Sequence, residues 1–248
     1  MNFLALYPNE FESNLAVLEG NRAAYAEKIH NCKLNKKYQI VVIGQGRSTG
    51  QVIFIEESKV ILELSTIQPV SLELNIILAV GICRPQSVKK VLQSAVIFGV
   101  REVVFLASEN SEKSYFSSKI LSDNVSSDRI ILEAIEQTGM PSYPNFRFVK
   151  KFSKFFEEPY LKGPSINQLR ISTDTNSSLS LLKVKKDLDG SPTEFVLVIG
   201  PEKGWTKVEK KYFEQSNFVS VGLGPAMMRV EDASSVALTQ IKTLFEKL

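Results

Sequence analysis

The sequence predicts an α/β fold for most of the chain, preceded by a smaller β-rich domain. Short runs rich in Val and Ile, separated by turn residues, occupy residues 40–64. After Pro69, the nearly continuous apolar run Leu74–Ile82 is typical of a strand buried on both faces of a parallel sheet. Strand and helix patterns then alternate, as in βαβ units. We therefore predict one domain over residues 1–70 and a second over residues 71–248.

The first domain is predicted to contain one short helix and three strands. The helix covers Asn21–Asn31, and the strands cover Ile40–Ile43, Gln51–Ile55 and Val60–Leu64. The glycine-rich segment Gly44–Gly50 is expected to be the turn between the first two strands. Because a strand rather than a helix follows it, this segment is not a dinucleotide-binding fingerprint. The pattern favours a small barrel or a curled sheet.

The second domain is predicted to alternate strands with helices. Apolar residues at 3.6-residue spacing predict the helices, and glycines mark their ends. After Leu74–Ile82 the predicted elements are a helix from about Val88 to Gly99, a strand Val103–Leu106, a helix Ser127–Thr138, strands Gln168–Ser172 and Phe195–Ile199, a helix Thr206–Gln215, a strand Phe218–Val221 and a final helix over Ala233–Leu248. Two polar stretches, residues 174–180 and 183–192, are predicted to be loops.

Composition excludes several classes of function. The net charge of +3 permits an anionic partner without requiring one. The single histidine, His30, excludes a His-based catalytic triad and a multi-histidine metal site, so we expect no metal; a surface or capping role is favoured for it. Cys32 and Cys83 have no zinc-ligand spacing and suggest no disulfide framework. With no leader pattern and no run of about 20 apolar residues, we expect a cytoplasmic protein without a membrane partner.

The most informative pattern is a pair of predicted strands that end in glycine–proline turns. One strand ends at Gly200-Pro201-Glu202 and the other at Gly222-Leu223-Gly224-Pro225. Between them, Thr206 and Glu209 have the spacing of a capping box that starts a helix. We expect the two strands to be adjacent and parallel, so that their turns form a crevice at the carboxyl edge of the sheet, where ligands bind in open α/β folds. Each turn alone is also typical of an ordinary strand-to-helix connection.

In combination and in this order, these segments resemble the ribosomal RNA small subunit methyltransferase E family. That family has Gly-Pro-Glu-Gly-Gly, then Ser/Thr-x-x-Glu, a Leu-Gly turn and Ile-Leu-Arg-x-Glu-Thr-Ala. The matching segments here are Ile199–Gly204, Thr206–Glu209, Leu223–Pro225 and Met228–Ala233, and upstream Ile97–Val100 and Ala134–Gly139 also resemble the family, so that the likeness covers about residues 71–245. Lys203 departs from the family by replacing a glycine, Asp232 stands where Thr is usual, and the family's His-x-x-x-Val-Leu-Arg segment is not recognisable around His30–Leu34.

The resemblance implies a fold, a reaction and a cofactor. It implies a SPOUT domain with a parallel sheet and a deep trefoil knot, preceded by a PUA-like β-barrel, in a homodimer. The implied activity is methylation of N3 of a uridine in 16S ribosomal RNA of the small ribosomal subunit, with S-adenosyl-L-methionine (SAM) as methyl donor and no DNA partner. Main-chain groups in the knot would hold SAM, and the implied cofactor-binding residues are Ile199, Gly200, Pro201, Glu202, Leu223, Gly224, Met227 and Met228.

Arg229 and Glu231 are the candidate catalytic residues. Uracil N3 becomes nucleophilic as it loses its proton, and an arginine beside the base can stabilise the developing anion. Arg229 is the arginine of the signature, and Glu231 accepts a proton or orients Arg229; alternatively the two form a structural ion pair at the start of the last helix. Lys33, Lys36 and Lys37 are candidate phosphate contacts in the first domain.

Other readings of the function remain open at the level of the sequence. One alternative is a methyltransferase that acts on another RNA, such as transfer RNA. The second is a non-catalytic RNA-binding or assembly factor. The second alternative follows from Lys203, because a cationic side chain near the pocket would oppose the sulfonium of SAM. Residues Val149–Phe156 mix lysines with aromatics, which fits an RNA contact and equally a strand-to-helix junction with a solvated basic face.

Overall fold

The chain forms two compact units in a computed structural model that describes residues 2–71, 74–163 and 167–245, apart from the side chains of Ser122 and Asn124. The first unit comprises Met1–Ser71 and Ile131–Tyr143, and the second comprises Leu72–Ile130 and Pro144–Leu248. The sequence placed a single boundary at residues 70 and 71, and nothing in it indicated that residues 131–143 group with the N-terminal segment.

The first unit is built on a mixed sheet with one helix. Its elements are β1 (Leu4–Leu6), β2 (Phe11–Glu12), β3 (Leu15–Glu19), α1 (Asn21–His30), β4 (Lys37–Val42), β5 (Gly46–Glu56), β6 (Lys59–Leu64) and β7 (Gln68–Pro69), with a 3-10 helix at Pro8–Glu10. The strand order among the described residues is β1-β4-β5-β6-β3-β2, with β7 paired to β5. All pairs are antiparallel except β1 with β4. The predicted helix and the three predicted strands are therefore confirmed.

The predicted turn between the two strands is confirmed as a β4–β5 hairpin, but its predicted extent, Gly44–Gly50, is wrong: the turn covers residues 43–45, and β5 pairs with β4 from Gly46 onward. Gly46 lies in β5, where it allows close contact with β7. A Cβ atom on it would lie only 2.0 Å from the carbonyl oxygen of Gln68, so that only glycine allows β7 to approach β5 here.

A buried carboxylate ties segment 131–143 into the first unit. Glu136 accepts a hydrogen bond of 2.6 Å from the Tyr25 hydroxyl and one of 3.3 Å from the backbone N–H of Ala5, and its Oε1 lies 3.1 Å from His30 Nε2. Burial raises the pKa of Tyr25, so its hydroxyl stays a proton donor. The predicted surface or capping role of His30 is wrong: its side chain is 5% exposed, because a buried carboxylate requires polar partners.

The second unit has a parallel sheet with helices on its faces, so the predicted α/β fold with a parallel sheet is confirmed. Its strands are β8 (Asn75–Gly81), β9 (Glu102–Leu106), β10 (Asn145–Val149), β11 (Gln168–Thr173), β12 (Glu194–Ile199) and β13 (Val219–Val221). Its helices are α2 (Pro85–Ile97), α3 (Lys119–Ser122), the first residues of α4 (Asn124–Thr138), α5 (Leu181–Lys186), α6 (Lys207–Gln215) and α7 (Val230–Phe245), with 3-10 helices at Lys113–Ser117, Phe152–Glu157 and Pro159–Leu161. From Ile131 onward, the residues of α4 belong to the first unit. Among the described residues the strand order is β10-β9-β8-β12-β11-β13.

Both faces of this sheet are covered by apolar side chains. Ile76, Leu78 and Val80 of β8 point into one hydrophobic cluster, whereas Ile77 and Ala79 point into another on the opposite face. This arrangement explains the unbroken apolar run in the sequence, since a strand buried on both faces has no polar side to alternate with.

Several local features differ from the sequence prediction. The polar stretch 183–192 was predicted to be a loop, but α5 covers its first residues, with Leu181 and Val184 buried. The strand β10 was not predicted, and a 3-10 helix follows it at Phe152, so that residues 149–156 do form a strand-to-helix junction. Both cysteines are free and buried. Within the described ranges, none of the helices combines the length and the apolar character that crossing a bilayer requires.

Candidate active site

Three loops meet at the carboxyl edge of the parallel sheet in the second unit. The prediction that β12 and β13 are adjacent is wrong, because β11 lies between them and pairs with both. The loops that follow β11, β12 and β13 therefore come together, and they line one cavity of about 350 Å³. That volume lies at the lower end of the roughly 300–1,000 Å³ typical of small-molecule sites.

All eight residues that the sequence proposed for cofactor binding line this cavity. They are Ile199, Gly200, Pro201, Glu202, Leu223, Gly224, Met227 and Met228. They come from two loops, and the third loop contributes Thr173–Asn176, which the sequence analysis treated as loop material without a role. A usable signal did exist, because the predicted strand Gln168–Ser172 stops just before this loop and parallel strands end at a common edge. Trp205 and Lys210 are two further lining residues that the sequence reasoning missed.

Two glycines allow close packing in these loops, Gly200 within the loop after β12 and Gly222 between the end of β13 and the loop after β11. A Cβ atom on Gly200 would lie 3.2 Å from Gly204 Cα and 3.4 Å from Trp205 Nε1, and a Cβ atom on Gly222 would lie 2.2 Å from the carbonyl oxygen of Ser177. The close approaches are thus made by the protein's own backbone, where the sequence alone left open whether a ligand or a second backbone comes near. Because Gly222 has no side chain, the loop after β11 can cross the end of β13.

Main-chain hydrogen bonds fix this crossing. The N–H of Asp174 donates to the carbonyl of Val221 at 2.9 Å, and the N–H of Gly222 donates to the carbonyl of Leu179 at 2.9 Å. The residues on both sides of the crossing are therefore held by backbone groups. A cavity wall held in this way is already ordered before any ligand binds.

Two carboxylates and two ammonium groups lie in the cavity wall. Asp174 forms an ion pair with Lys210, while Glu202 and Lys203 are exposed. Burial tends to raise the pKa of Asp174, but the Lys210 ammonium and the N–H of Asn176 outweigh it, and the pKa lies below its usual value. The wall is therefore close to electrically balanced, and Lys203 does not leave it with a net positive charge.

The predicted capping box is confirmed at the start of α6. Glu209 accepts a hydrogen bond of 2.8 Å from the Thr206 N–H, and the Thr206 hydroxyl accepts one of 3.2 Å from the Glu209 N–H. The other carboxylate oxygen of Glu209 accepts from the N–H of Glu109 at 3.0 Å. Glu209 is only 2% exposed, so one buried side chain links the helix start to the loop after β9. This helix follows directly from the loop that carries Trp205.

Arg229 lies at the rim of the cavity, between the lining residues Met228 and Val230. It is exposed and immediately precedes α7, and its carbonyl oxygen accepts from the N–H of Ala233 at 2.8 Å. The alternative in which Arg229 and Glu231 form an ion pair is not what the structure shows, because Glu231 pairs with Lys90 at 3.2 Å. Across the part of the chain that is described, the guanidinium of Arg229 has no ion-pair partner. It is therefore free to meet an anion.

Glu231 is buried in the first turn of α7 and is not among the described residues of the cavity wall. Burial tends to raise the pKa of its carboxyl group, but Ser87 and the Lys90 ammonium outweigh that effect, so the pKa lies below its usual value. Lys90 belongs to the middle of α2, so the contact joins α2 to the first turn of α7. The structure thus separates two residues for which the sequence allowed a joint role.

The three lysines predicted to contact RNA, Lys33, Lys36 and Lys37, lie in the first unit and are all exposed. The hydroxyl of Tyr38 accepts a hydrogen bond of 3.0 Å from the Lys33 N–H and donates one of 2.8 Å to the carbonyl of Asn31. These bonds give the connection between α1 and β4 a defined shape. We call these three residues the lysine triplet.

The fold and the cavity define an α/β protein with a cavity of about 350 Å³ at the carboxyl edge of a parallel sheet. The model of the RNA methyltransferase domain matches residues 70–242, and the chain belongs to that family. The match contains all three loops of the cavity. The resemblance to the ribosomal RNA small subunit methyltransferase E family, predicted from the glycine–proline turns, is confirmed by the relatives that carry this name.

One relative of this chain is ribosomal RNA small subunit methyltransferase E 1 of Borreliella burgdorferi, 25% identical over 239 residues that cover 96% of this chain and 95% of the relative. Ribosomal RNA small subunit methyltransferase E of Synechocystis is 34% identical over 118 residues, 48% of this chain and 38% of that protein. Among solved structures, ribosomal RNA small subunit methyltransferase E of Neisseria gonorrhoeae bound to S-adenosyl methionine superimposes with a TM-score of 0.78 at 23% identity, over 98% of both chains. That level of identity supports a shared fold.

Proposed function

We propose that the protein uses SAM to methylate N3 of a uridine in 16S ribosomal RNA of the small ribosomal subunit. The observation that carries this proposal is the cavity in which three loops bring together the eight residues matched to the family's cofactor-binding segments. Membership of the RNA methyltransferase family supports the reaction class. The names of the relatives support the choice of ribosomal RNA as substrate.

The residues of the cavity fit SAM in size, polarity and charge. The volume of about 350 Å³ suits a ligand of this class, and the wall includes Gly200 and Gly224, which have no side chain to cover their backbone groups. A sulfonium is a cation, and the carboxylates of Asp174 and Glu202 offset the two lysines of the wall. When bound, SAM supplies an electrophilic methyl group, so the protein does not need to activate the methyl donor.

The protein's remaining task is to position uracil and stabilise the anion that forms as N3 loses its proton. We assign this stabilisation to Arg229, whose guanidinium has no ion-pair partner among the described residues and whose neighbours in sequence, Met228 and Val230, line the cavity. It also lies at the N-terminus of α7, where the helix dipole adds partial positive charge. Two sources of positive potential at one place favour a developing oxyanion at O2 or O4 of the base.

Glu231 acts as a positioning residue in this proposal. A carboxylate with a lowered pKa is a weak base at neutral pH, which disfavours it as the proton acceptor. Its ion pair with Lys90 fixes the first turn of α7 against α2. Since Arg229 immediately precedes that turn, Glu231 determines where the guanidinium sits.

Further parts of the proposal rest on the family resemblance. Residues 71–248 are a SPOUT domain with a deep trefoil knot, and residues 1–70 are a PUA-like barrel that binds RNA through the lysine triplet. The protein is a homodimer and acts in the cytoplasm. The mixed sheet of the first unit and the exposure of all three lysines support the RNA-binding assignment.

Two measurements test the proposed function. Isothermal titration calorimetry with SAM tests the cofactor, and mass spectrometry of nuclease-digested 16S ribosomal RNA, after incubation of small subunits with enzyme and SAM, locates the methyl group. If the protein binds SAM but methylates transfer RNA and not 16S ribosomal RNA, the proposed substrate is wrong and the alternative substrate is correct. Absence of SAM binding would favour the non-catalytic RNA-binding or assembly factor. Replacing Lys203 would then test whether its positive charge opposes the sulfonium of SAM.

A further inference from the structure

A basic and aromatic surface lies next to the cavity in the second unit and takes no part in the proposed chemistry. It comprises Tyr212 and Lys211 on α6 and Lys151, Lys154 and Lys162 on and around the two 3-10 helices that follow β10. All five residues are exposed. We call this group the basic-aromatic surface.

Aromatic packing brings these two segments together. Tyr212 stacks on Phe156 with ring centroids 5.2 Å apart and an interplanar angle of 24°, and it meets the edge of Phe152 at 5.9 Å. Phe152 also contacts Trp205 at 5.6 Å, and Trp205 lines the cavity. The surface therefore begins where the cavity wall ends.

Tyr212 has the features of a stacking platform. Its ring is supported from below by Phe156, yet 37% of the residue remains exposed. The other rings of this cluster, such as Phe155 and Phe213, are buried and serve as core. An aromatic ring held rigidly at the surface can stack on a nucleobase without losing much conformational freedom.

The lysines outnumber the acids on this surface. Lys154 pairs with Glu157 at 2.7 Å. The hydrogen bond from Lys154 and the charges of Lys151 and Lys162 hold the pKa of Glu157 below its usual value, so these three lysines surround one carboxylate. Glu158 forms an ion pair with Arg147 at 2.8 Å. On α6, Glu214 is an exposed acidic residue. The positive excess is suited to a polyanion.

We propose that the basic-aromatic surface binds single-stranded RNA flanking the nucleotide that enters the cavity. Tyr212 stacks on one base, and the lysines contact phosphates. This inference rests on the proposed function for the identity of the substrate, but its own features favour RNA over an acidic protein, because RNA alone of the two combines bases that stack on Tyr212 with a phosphate on every nucleotide for the lysines.

The test measures binding of a fluorescein-labelled single-stranded oligouridine to the full chain by fluorescence anisotropy at several salt concentrations. Tyr212→Leu should weaken binding by about 5- to 150-fold, the range for losing one stacked base, while Tyr212→Phe keeps the parent affinity. Lys151→Gln with Lys162→Gln should lower the slope of log affinity against log salt by about 1.4, or about 0.7 for each phosphate that is no longer neutralised.

A matched control separates local phosphate binding from the effect of net charge. Lys183 and Lys186 are exposed lysines on α5, and replacing both with Gln changes the net charge by the same amount. This control should keep the parent slope. Equal slope changes in both double variants, or parent affinity in Tyr212→Leu, would overturn the proposal. Thermal unfolding of Tyr212→Leu verifies its fold, and the lysine variants give an independent test because the replaced side chains are exposed.

Methylation assays on the same variants distinguish this inference from the proposed function. If the parent methylates 16S ribosomal RNA and all surface variants bind RNA as the parent does, the proposed function stands and the surface assignment fails. If the parent binds oligouridine through Tyr212 and these lysines but methylates no RNA, the surface assignment stands and the proposed function fails.

Discussion

Replacing Arg229 with Ala tests the proposed chemistry most directly. Because the side chain is exposed and has no ion-pair partner among the described residues, its loss should change the free energy of unfolding by no more than about 0.5 kcal/mol. The affinity for SAM should stay within a few-fold, since Arg229 is not among the described residues that line the cavity. The methylation rate at saturating SAM should fall by roughly 10²–10³, the scale for losing one preorganised anion-stabilising donor.

The assay is single-turnover methylation of purified small ribosomal subunits, with SAM affinity measured separately by calorimetry. Arg229→Lys should restore activity only in part, because an ammonium cannot reproduce the two parallel hydrogen bonds of a guanidinium. Arg101 offers a matched control: it is an exposed arginine next to β9, at the opposite, amino-terminal edge of the same sheet, and Arg101→Ala should leave the rate unchanged. An unchanged rate in Arg229→Ala would refute the catalytic assignment.

Four further outcomes are expected. Gly200→Val should weaken SAM binding, because a Cβ atom at this position lies 3.2 Å from Gly204 Cα and the larger valine side chain displaces the turn, at a cost of about 1–3 kcal/mol. An affinity equal to that of the parent, measured by calorimetry, would contradict the cavity assignment. Glu209→Ala should lower the free energy of unfolding by about 2–4 kcal/mol in urea denaturation, since two backbone N–H groups lose their acceptor. For Glu231, a lowered folded-state pKa means that its stabilisation is present above the usual pKa of 4.5 and is lost as the pH falls through the folded value, so the stability difference between parent and Glu231→Gln should shrink below about pH 4.5. Changing the lysine triplet to Gln should reduce the salt dependence of RNA binding by a slope of about 2, and an unaltered slope would remove these lysines from the RNA interface.

Local rules succeeded where a feature depends on neighbours in sequence. The capping box of Thr206 and Glu209 was predictable because it needs only a spacing of three residues, and the structure forms it. The strand β8 was predictable because burial on both faces leaves only apolar residues after Asn75. In both cases the physical cause of the element acts within a few residues.

Features that depend on distant segments could not be predicted in this way. The position of β11 between β12 and β13 is decided by how connecting segments pack across the sheet, and no local pattern records it. Glu136 lies in a segment that resembles the family, but its burial could not be foreseen, since its partners Tyr25 and His30 lie 111 and 106 residues away. The loop Thr173–Asn176 was overlooked because its polar composition is equally typical of an unstructured connection.

The cavity owes its order to carboxylates that hold backbone groups in place. Glu209 binds the N–H groups of Thr206 and Glu109, and Glu202 accepts from the N–H of Arg84 at 3.1 Å, so side-chain acceptors fix the backbone on either side of Trp205. A cofactor bound mainly by main-chain groups gains affinity only if those groups are already in place, because ordering a loop on binding costs free energy. Removal of the Glu209 carboxylate should therefore weaken SAM binding as well as the fold, although Glu209 is not among the described residues that line the cavity. In this site, the interactions that keep the loops ordered therefore also contribute to the affinity for the cofactor.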